Sequence, residues 1–264
     1  MNTTADGRGR VAAFLDVDGT LVAGPSLELR FFGALRRLQA IPATNYFLWL
    51  AQAVRLAPRG IATVALANKM YLRGVHVDCG GLPAQARQGG QAGSRHVPAP
   101  RFFPDALARV AWHAAQRHAI VLMTGTLAPL AHEAAVALAL RLAARGTPAS
   151  IGVCATRLEE AQDCWTGRIL GDAMFGEAKA RAIRRIAFSE DFDLARCYAY
   201  GDTASDRWML TAVGRPAAVN PSPDLGRIAR LHDWPVLWWK KEAAASRHEA
   251  ESAGVACAKR ESLG

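Results

Sequence analysis

The run Val11-Ala12-Ala13-Phe14-Leu15 is apolar at every position and is cut off by Asp16-Val17-Asp18-Gly19-Thr20. A strand that is apolar on both faces has to be covered on both faces, and a parallel sheet sandwiched between helices does that. In open sheets of this kind ligands bind beyond the carboxyl ends of the strands. Two carboxylates spaced by one residue at such an end project to the same side, and Gly19-Thr20 turns the chain directly after them. One carboxylate can attack while the other moves a proton.

After Val22 the strand period gives way to a helical one. Ser26 is placed as an N-cap before Leu27, Leu29, Phe31, Phe32 and Leu35, with Arg36 and Arg37 as last-turn charges. A second helix is expected over 43–57, carrying Tyr46, Phe47, Leu48, Trp49 and Leu50 and stopped by Pro58, and a third over 61–72. The apolar stretch 46–54 is too short to span a bilayer and reads as packing within a helical insert. Residues 75–101 are rich in Gly, Ala, Gln and Pro, bury little, and are expected to be poorly formed.

From Pro104 onward helices and strands alternate. Strands are expected at 119–123, 151–155, 197–200, 216–219 and 236–238, and helices over 104–117, 129–145, 177–188, 206–213 and onward to about Leu231. A hairpin is expected around Cys164–Ile169. The expected fold is an α/β, doubly wound (Rossmann-like) parallel sheet with a small inserted helical cap. The core takes residues 1–23 and 102–240, the cap 24–101, and residues 241–264, without aromatic side chains, form a disordered tail.

Three later segments meet the needs of phosphoryl transfer to a carboxylate. Thr124-Gly125 ends an apolar strand, where a hydroxyl and backbone N–H groups can hold phosphate oxygens. Lys179 opens a helix after Gly176 and can neutralise charge on the transferring group. Gly201-Asp202-Thr203-Ala204-Ser205-Asp206 is an acidic loop at a strand tip, suited to a hard divalent cation, with Mg2+ the expected ion.

In this order, Asp16-x-Asp18-x-Thr20, Thr124-Gly125, Lys179 and Gly201-Asp202-x-x-x-Asp206 resemble the four motifs of the haloacid dehalogenase-like superfamily. A cap between the first two motifs, together with Ala218-Val219-Asn220-Pro221, is similar to its subclass I branch, which contains phosphoserine phosphatases. The resemblance covers residues 11–239 and implies a magnesium-dependent phosphomonoesterase. Asp16 would be the nucleophile forming an aspartyl-phosphate, and Asp18 the acid and then the base. Thr124, Gly125 and Lys179 would bind the phosphate. Asp16, Asp18 through its carbonyl, Asp202 and Asp206 would hold the metal. Members that attack carbon lack an acid two residues after the nucleophile, so Asp18 favours phosphate esters over dehalogenation.

The chain departs from the phosphoserine phosphatase pattern at two places. A glutamate nine residues beyond the nucleophile is replaced by Pro25, with Glu28 a turn further on, and Ser-Gly-Gly is replaced by Thr124-Gly125-Thr126. The reaction type survives these changes, and the substrate stays open among small organic phosphates. Two rival readings are a phosphotransferase or mutase and a phosphate-binding module without turnover. The aromatic segment at 46–49, Trp238-Trp239-Lys240-Lys241 and a net charge of +9 also admit a lipid phosphate, such as a phosphatidylglycerol phosphate, met at a membrane surface. The charge suits an anionic substrate, and without a basic run or a nucleic-acid-reading signature no nucleic-acid partner is expected. No obligate protein partner is expected either. Five scattered cysteines without a Cys-x-x-Cys pair and a polar first ten residues place the expected enzyme in the cytoplasm.

Overall fold

The computed structural model describes residues 9–77 and 99–240. The expectations for the 241–264 tail and for most of 75–101 lie outside the described residues. The central strand is β1 (Ala12–Leu15), buried along its whole length. It lies between β2 (Ala119–Leu127) and β6 (Tyr198–Gly201), with β3 (Ile151–Thr156) beyond β2 and β7 (Arg215–Val219) and β8 (Val236–Leu237) beyond β6. All neighbouring pairs are parallel, in the order β3-β2-β1-β6-β7-β8. The chain winds outward from β1 in one direction and returns to wind outward in the other, so β1 borders the switch point where a crevice opens.

Alternation along β1 divides the core in two. Ala13 and Leu15 join a cluster with α1 (Leu27–Arg37), α4 (Pro104–Ala115) and α5 (Ala128–Ala143). Ala12 and Phe14 face the opposite way, toward α6 (Glu177–Glu190), α7 (Arg207–Leu210) and α8 (Pro223–Leu231). The fold is the doubly wound parallel sheet expected.

Ser26 caps α1, its hydroxyl accepting from the Leu29 N–H at 3.2 Å. The insert continues with α2 (Thr44–Leu56) and α3 (Ile61–Ala67). An antiparallel hairpin of β4 (Leu158–Ala161) and β5 (Cys164–Ile169) ties down its far end. Trp165 N–H donates to the Val75 carbonyl at 3.0 Å, and its ring meets Phe31 edge to face.

Several expectations need correction. β2 does not stop at Met123 but runs on to Leu127, its pairing with β3 shifting register between Thr124 and Leu127, so Thr124 and Gly125 are strand residues. The third helix ends at Ala67 instead of 72, because the Asn68 side chain bonds the Trp49 carbonyl and the Met70 N–H and competes with the helical ladder. The helix expected over 206–213 is only one turn, Arg207–Leu210. The aromatic residues of α2 are not packed inside: Tyr46, Phe47 and Trp49 are 44%, 75% and 37% exposed. The buried positions of α2 are Asn45 and Leu56.

Candidate active site

Asp16 leaves the end of β1, its N–H bonded to the Tyr200 carbonyl of β6. Lys179, in the first turn of α6, reaches back with its whole side chain buried. Its Nζ lies 2.5 Å from Asp16 Oδ1 and 2.7 Å from Asp206 Oδ1. The other oxygen of Asp206 accepts from the Thr203 N–H at 3.0 Å and the Thr203 hydroxyl at 2.8 Å, which fixes the direction of the carboxylate. Asp202, just past β6, accepts from Thr20 Oγ1 at 3.3 Å. Asp16, Asp202 and Asp206 each offer an oxygen within 4.8 Å of the other two.

Two glycines let the loops come this close. A Cβ on Gly19, which has φ of 85°, would lie 2.1 Å from Asp202 Oδ2, and one on Gly201 would lie 2.5 Å from Asp206 Cβ. Neither position has room for a side chain.

Three carboxylates share one ammonium here. Burial first, and then repulsion from Asp206 and Asp202, push Asp16 well above the usual carboxylate range against the pull of Lys179. Burial and the Asp206 charge push Asp202 to about 7. Burial alone would lower Lys179, but attraction to Asp16 and Asp206 outweighs it and holds the amine protonated above its ordinary value. A cluster of oxygen donors whose negative charge exceeds its compensation fits a hard divalent cation, which would relieve that repulsion.

Asp18 is not part of this cluster. Its Oδ1 accepts from the Leu27 N–H at 2.8 Å and its Oδ2 from Thr126 Oγ1 at 2.6 Å. Thr124 is buried, and its hydroxyl accepts from the Thr126 N–H at 3.1 Å. Leu15 pairs with Leu122, so Asp16 and Thr124 extend from the same ends of adjacent strands. Leu66 of α3 covers Gly125: a Cβ added there would sit 3.6 Å from Leu66 Cδ2. The structure thus gathers Asp16, Lys179, Asp202 and Asp206, sets Thr124 and Gly125 on the strand next door, and turns Asp18 aside. Sequence reasoning missed Thr20, Thr126 and Thr203 as partners of these carboxylates. The i, i+2 spacing of Thr124 and Thr126 on a strand was the available signal for Thr126.

With this geometry in place, comparison with known proteins is specific. The family model described as haloacid dehalogenase-like hydrolase matches residues 13–211. The chain is 34% identical to an inhibition of morphological differentiation protein of Streptomyces azureus, over 86% of this chain and 78% of that one. It is 29% identical to a phosphoserine phosphatase of Mycobacterium tuberculosis, over 92% of this chain and 75% of that one. Among solved structures, a phospho-aspartyl intermediate analogue of phosphoserine phosphatase superposes with a TM-score of 0.55 at 16% identity, covering 89% of this chain and 96% of the other, a likeness of fold.

Proposed function

This chain belongs to the haloacid dehalogenase-like hydrolases, on their phosphoserine phosphatase-like branch, and we propose that it is a magnesium-dependent phosphomonoesterase working through an aspartyl-phosphate on Asp16, with residues 24–101 as its cap. The observation that carries this reading is the buried Lys179 bridging Asp16 and Asp206 at 2.5 and 2.7 Å, with Asp202 alongside. Lys179 offsets the negative charge that would otherwise repel an incoming phosphate dianion.

An Asp16 carboxylate oxygen attacks phosphorus, the P–O bond to the leaving group breaks, and the phosphoryl group passes to Asp16. Asp18 gives a proton to the departing oxygen and then takes one from the water that hydrolyses the acyl phosphate. The Leu27 N–H and the Thr126 hydroxyl hold Asp18 apart from the carboxylate cluster, leaving it to handle the proton. Thr124 and the backbone at Gly125 bind phosphoryl oxygens. Asp16, the Asp18 carbonyl, Asp202 and Asp206 would hold Mg2+, which when bound supplies charge neutralisation and orients the phosphate.

Phosphoserine itself is disfavoured as the substrate. Glu28 is engaged by Lys69 Nζ at 2.5 and 2.7 Å and by the Tyr71 hydroxyl at 2.8 Å, so it has no free carboxylate for an amino group. A lipid phosphate at a membrane surface is a second reading, favoured by one feature. Phe47, Leu50 and Val54, at helical spacing on α2, are 75%, 57% and 67% exposed. Among the described residues no helix is long and apolar enough to cross a membrane, and flotation with anionic vesicles at low salt tests peripheral contact. Failure to float removes this reading.

Phosphate release from an aryl phosphate tests the main proposal. Chelation of magnesium stops turnover reversibly, Asp16→Asn abolishes it, and Asp18→Asn lowers kcat by about 10²–10⁴-fold. Full activity of Asp16→Asn overturns the covalent route. Formation of an isomer or a phosphorylated acceptor in place of free phosphate assigns a phosphotransferase.

A further inference from the structure

Asp18 is held from two sides. Thr126 of β2 reaches Oδ2 from the sheet, and the N–H of Leu27, the first residue of α1, reaches Oδ1 from the insert. That N–H is available because Ser26, the cap of α1, accepts from Leu29 instead. The direction of the Asp18 carboxylate therefore follows the placing of the first turn of α1.

That turn is fixed by a buried ion pair outside the catalytic cluster. Glu28, next after Leu27, receives Lys69 Nζ on both of its oxygens, at 2.5 and 2.7 Å, and the Tyr71 hydroxyl on Oε1 at 2.8 Å. Lys69 is 1% exposed, so its ammonium is out of water and depends on this one carboxylate. Between Leu29 and Val77 the sequence has no Asp or Glu that could replace it. Burial and the Glu28 charge push the Tyr71 hydroxyl well above its ordinary pKa and keep it a donor. The β4–β5 hairpin backs the pair: a Cβ on Gly167, which has φ of 80°, would lie 3.3 Å from the Lys69 carbonyl and 3.1 Å from Met70 Cα. Phe32, further along α1, meets the Tyr71 ring edge to face at 5.3 Å. A buried ion pair is weak as a source of stability, because desolvation offsets its attraction, so what this one supplies is geometry.

We propose that Lys69 is a positioning residue of the reaction: through Glu28 it sets the first turn of α1, and through the Leu27 N–H it aims Asp18 for proton transfer. This rests on the reading of Asp18 as acid and base and deepens it, because it gives the insert a share in the chemistry. With a good leaving group the effect falls on the second step. p-Nitrophenolate departs without a proton, so phosphorylation of Asp16 is little changed. Hydrolysis of the acyl phosphate then forms a bond from a water oxygen to phosphorus, breaks the P–O bond to Asp16, and needs Asp18 to take the proton of that water.

Full-length Glu28→Gln/Lys69→Met protein, which loses both charges and leaves neither unpaired, is assayed with p-nitrophenyl phosphate in magnesium buffer, with urea unfolding alongside. The variant is expected to unfold near the parent midpoint and to lose about 10- to 100-fold in kcat. It accumulates phosphorylated Asp16, so rapid mixing gives a burst of nitrophenolate approaching one per chain, ahead of slow phosphate release. Leu56→Ala, which loosens the insert at the end of α2, keeps the parent kcat and burst. If the double variant does not fold, Lys69→Met, with Glu28 still held by the Tyr71 hydroxyl, is measured in the same way. A parent kcat in the folded variant, or a burst that shrinks in step with the rate, overturns the positioning role and leaves the phosphatase reading intact. Equal accumulation in Leu56→Ala overturns it too, since any loosening of the insert then has the same effect. Asp18→Asn is the reference: if it turns over at the parent rate, the reading of Asp18 as acid and base fails and this proposal falls with it.

Discussion

Asp16 and Asp18 are two residues apart and have been given different surroundings. Asp16 faces a buried ammonium and two further carboxylates, whereas Asp18 is held by one backbone N–H and one hydroxyl. That hydroxyl belongs to Thr126, which positions Asp18. Thr126→Val keeps the shape and the β-branched fit of the strand but removes the donor to Asp18 Oδ2. A misplaced proton donor is expected to cost about 10- to 100-fold in kcat, more for alkyl than for aryl phosphates because poor leaving groups need the proton. KM stays nearly constant, and Thr126→Ser restores most of the rate. Equal losses on alkyl and aryl esters would reduce Thr126 to a packing role. The carboxylates were legible in the sequence because they interrupt apolar runs at strand ends. Thr126 was read only as a departure from a family pattern, since a threonine in a strand is ordinary and only the folded register shows which oxygen it meets.

At the scale of elements, the strands were easier to read than the helices of the insert. β1 and β6 are short, apolar on both faces and closed by acidic residues, a pattern with one burial solution. α2 is apolar around most of its circumference, so its composition alone did not say which side faces inward. Its inner side turns out to be set by an amide. Asn45 is buried and donates through Nδ2 to the carbonyls of Tyr71 and Arg73, at 3.0 and 2.6 Å, clamping the start of α2 to the turn that follows α3. Asn45→Ala leaves two carbonyls without that donor and is expected to cost about 1–3 kcal/mol in urea unfolding. Phe47→Ser, on the exposed side, is expected to stay within about 0.5 kcal/mol of the parent. If the aromatic residue instead proved the costlier change, the assignment of the inner face would be wrong.

Across the whole molecule, two sets of buried titrating groups sit on the sheet and act on stability in opposite senses. His113 of α4 bonds the Tyr200 hydroxyl at 2.9 Å and faces His118 and Arg109, and burial holds its pKa down to about 3. A histidine lowered in the folded state gives stability that is complete above its unfolded value, near 6.5, and is lost as pH falls below it. Asp202 is raised to about 7, so the folded chain keeps a proton that the unfolded chain has released. Its effect is greatest in acid and is lost as pH rises through 7. Between pH 4 and 6.5 the two trends oppose each other, and from 6.5 to 8 the last proton leaving the unfolded histidine still adds about 0.4 kcal/mol, so the share of the carboxylates is read as the difference between the parent and Asp202→Asn. Measured in that way, cation-free protein is expected to lose about 1 kcal/mol of unfolding free energy between pH 6.5 and 8 through Asp202, with Asp16 acting in the same direction. Magnesium at about a hundred times its Kd adds about 2.7 kcal/mol, and because it binds the ionised carboxylates its gain is larger at pH 8, so the downward slope flattens or reverses. Denaturant titrations at both pH values, with and without the ion and repeated on Asp202→Asn, measure each part. An Asp202→Asn variant with the parent slope would show that the charge cluster at the strand tips is not what limits the fold there.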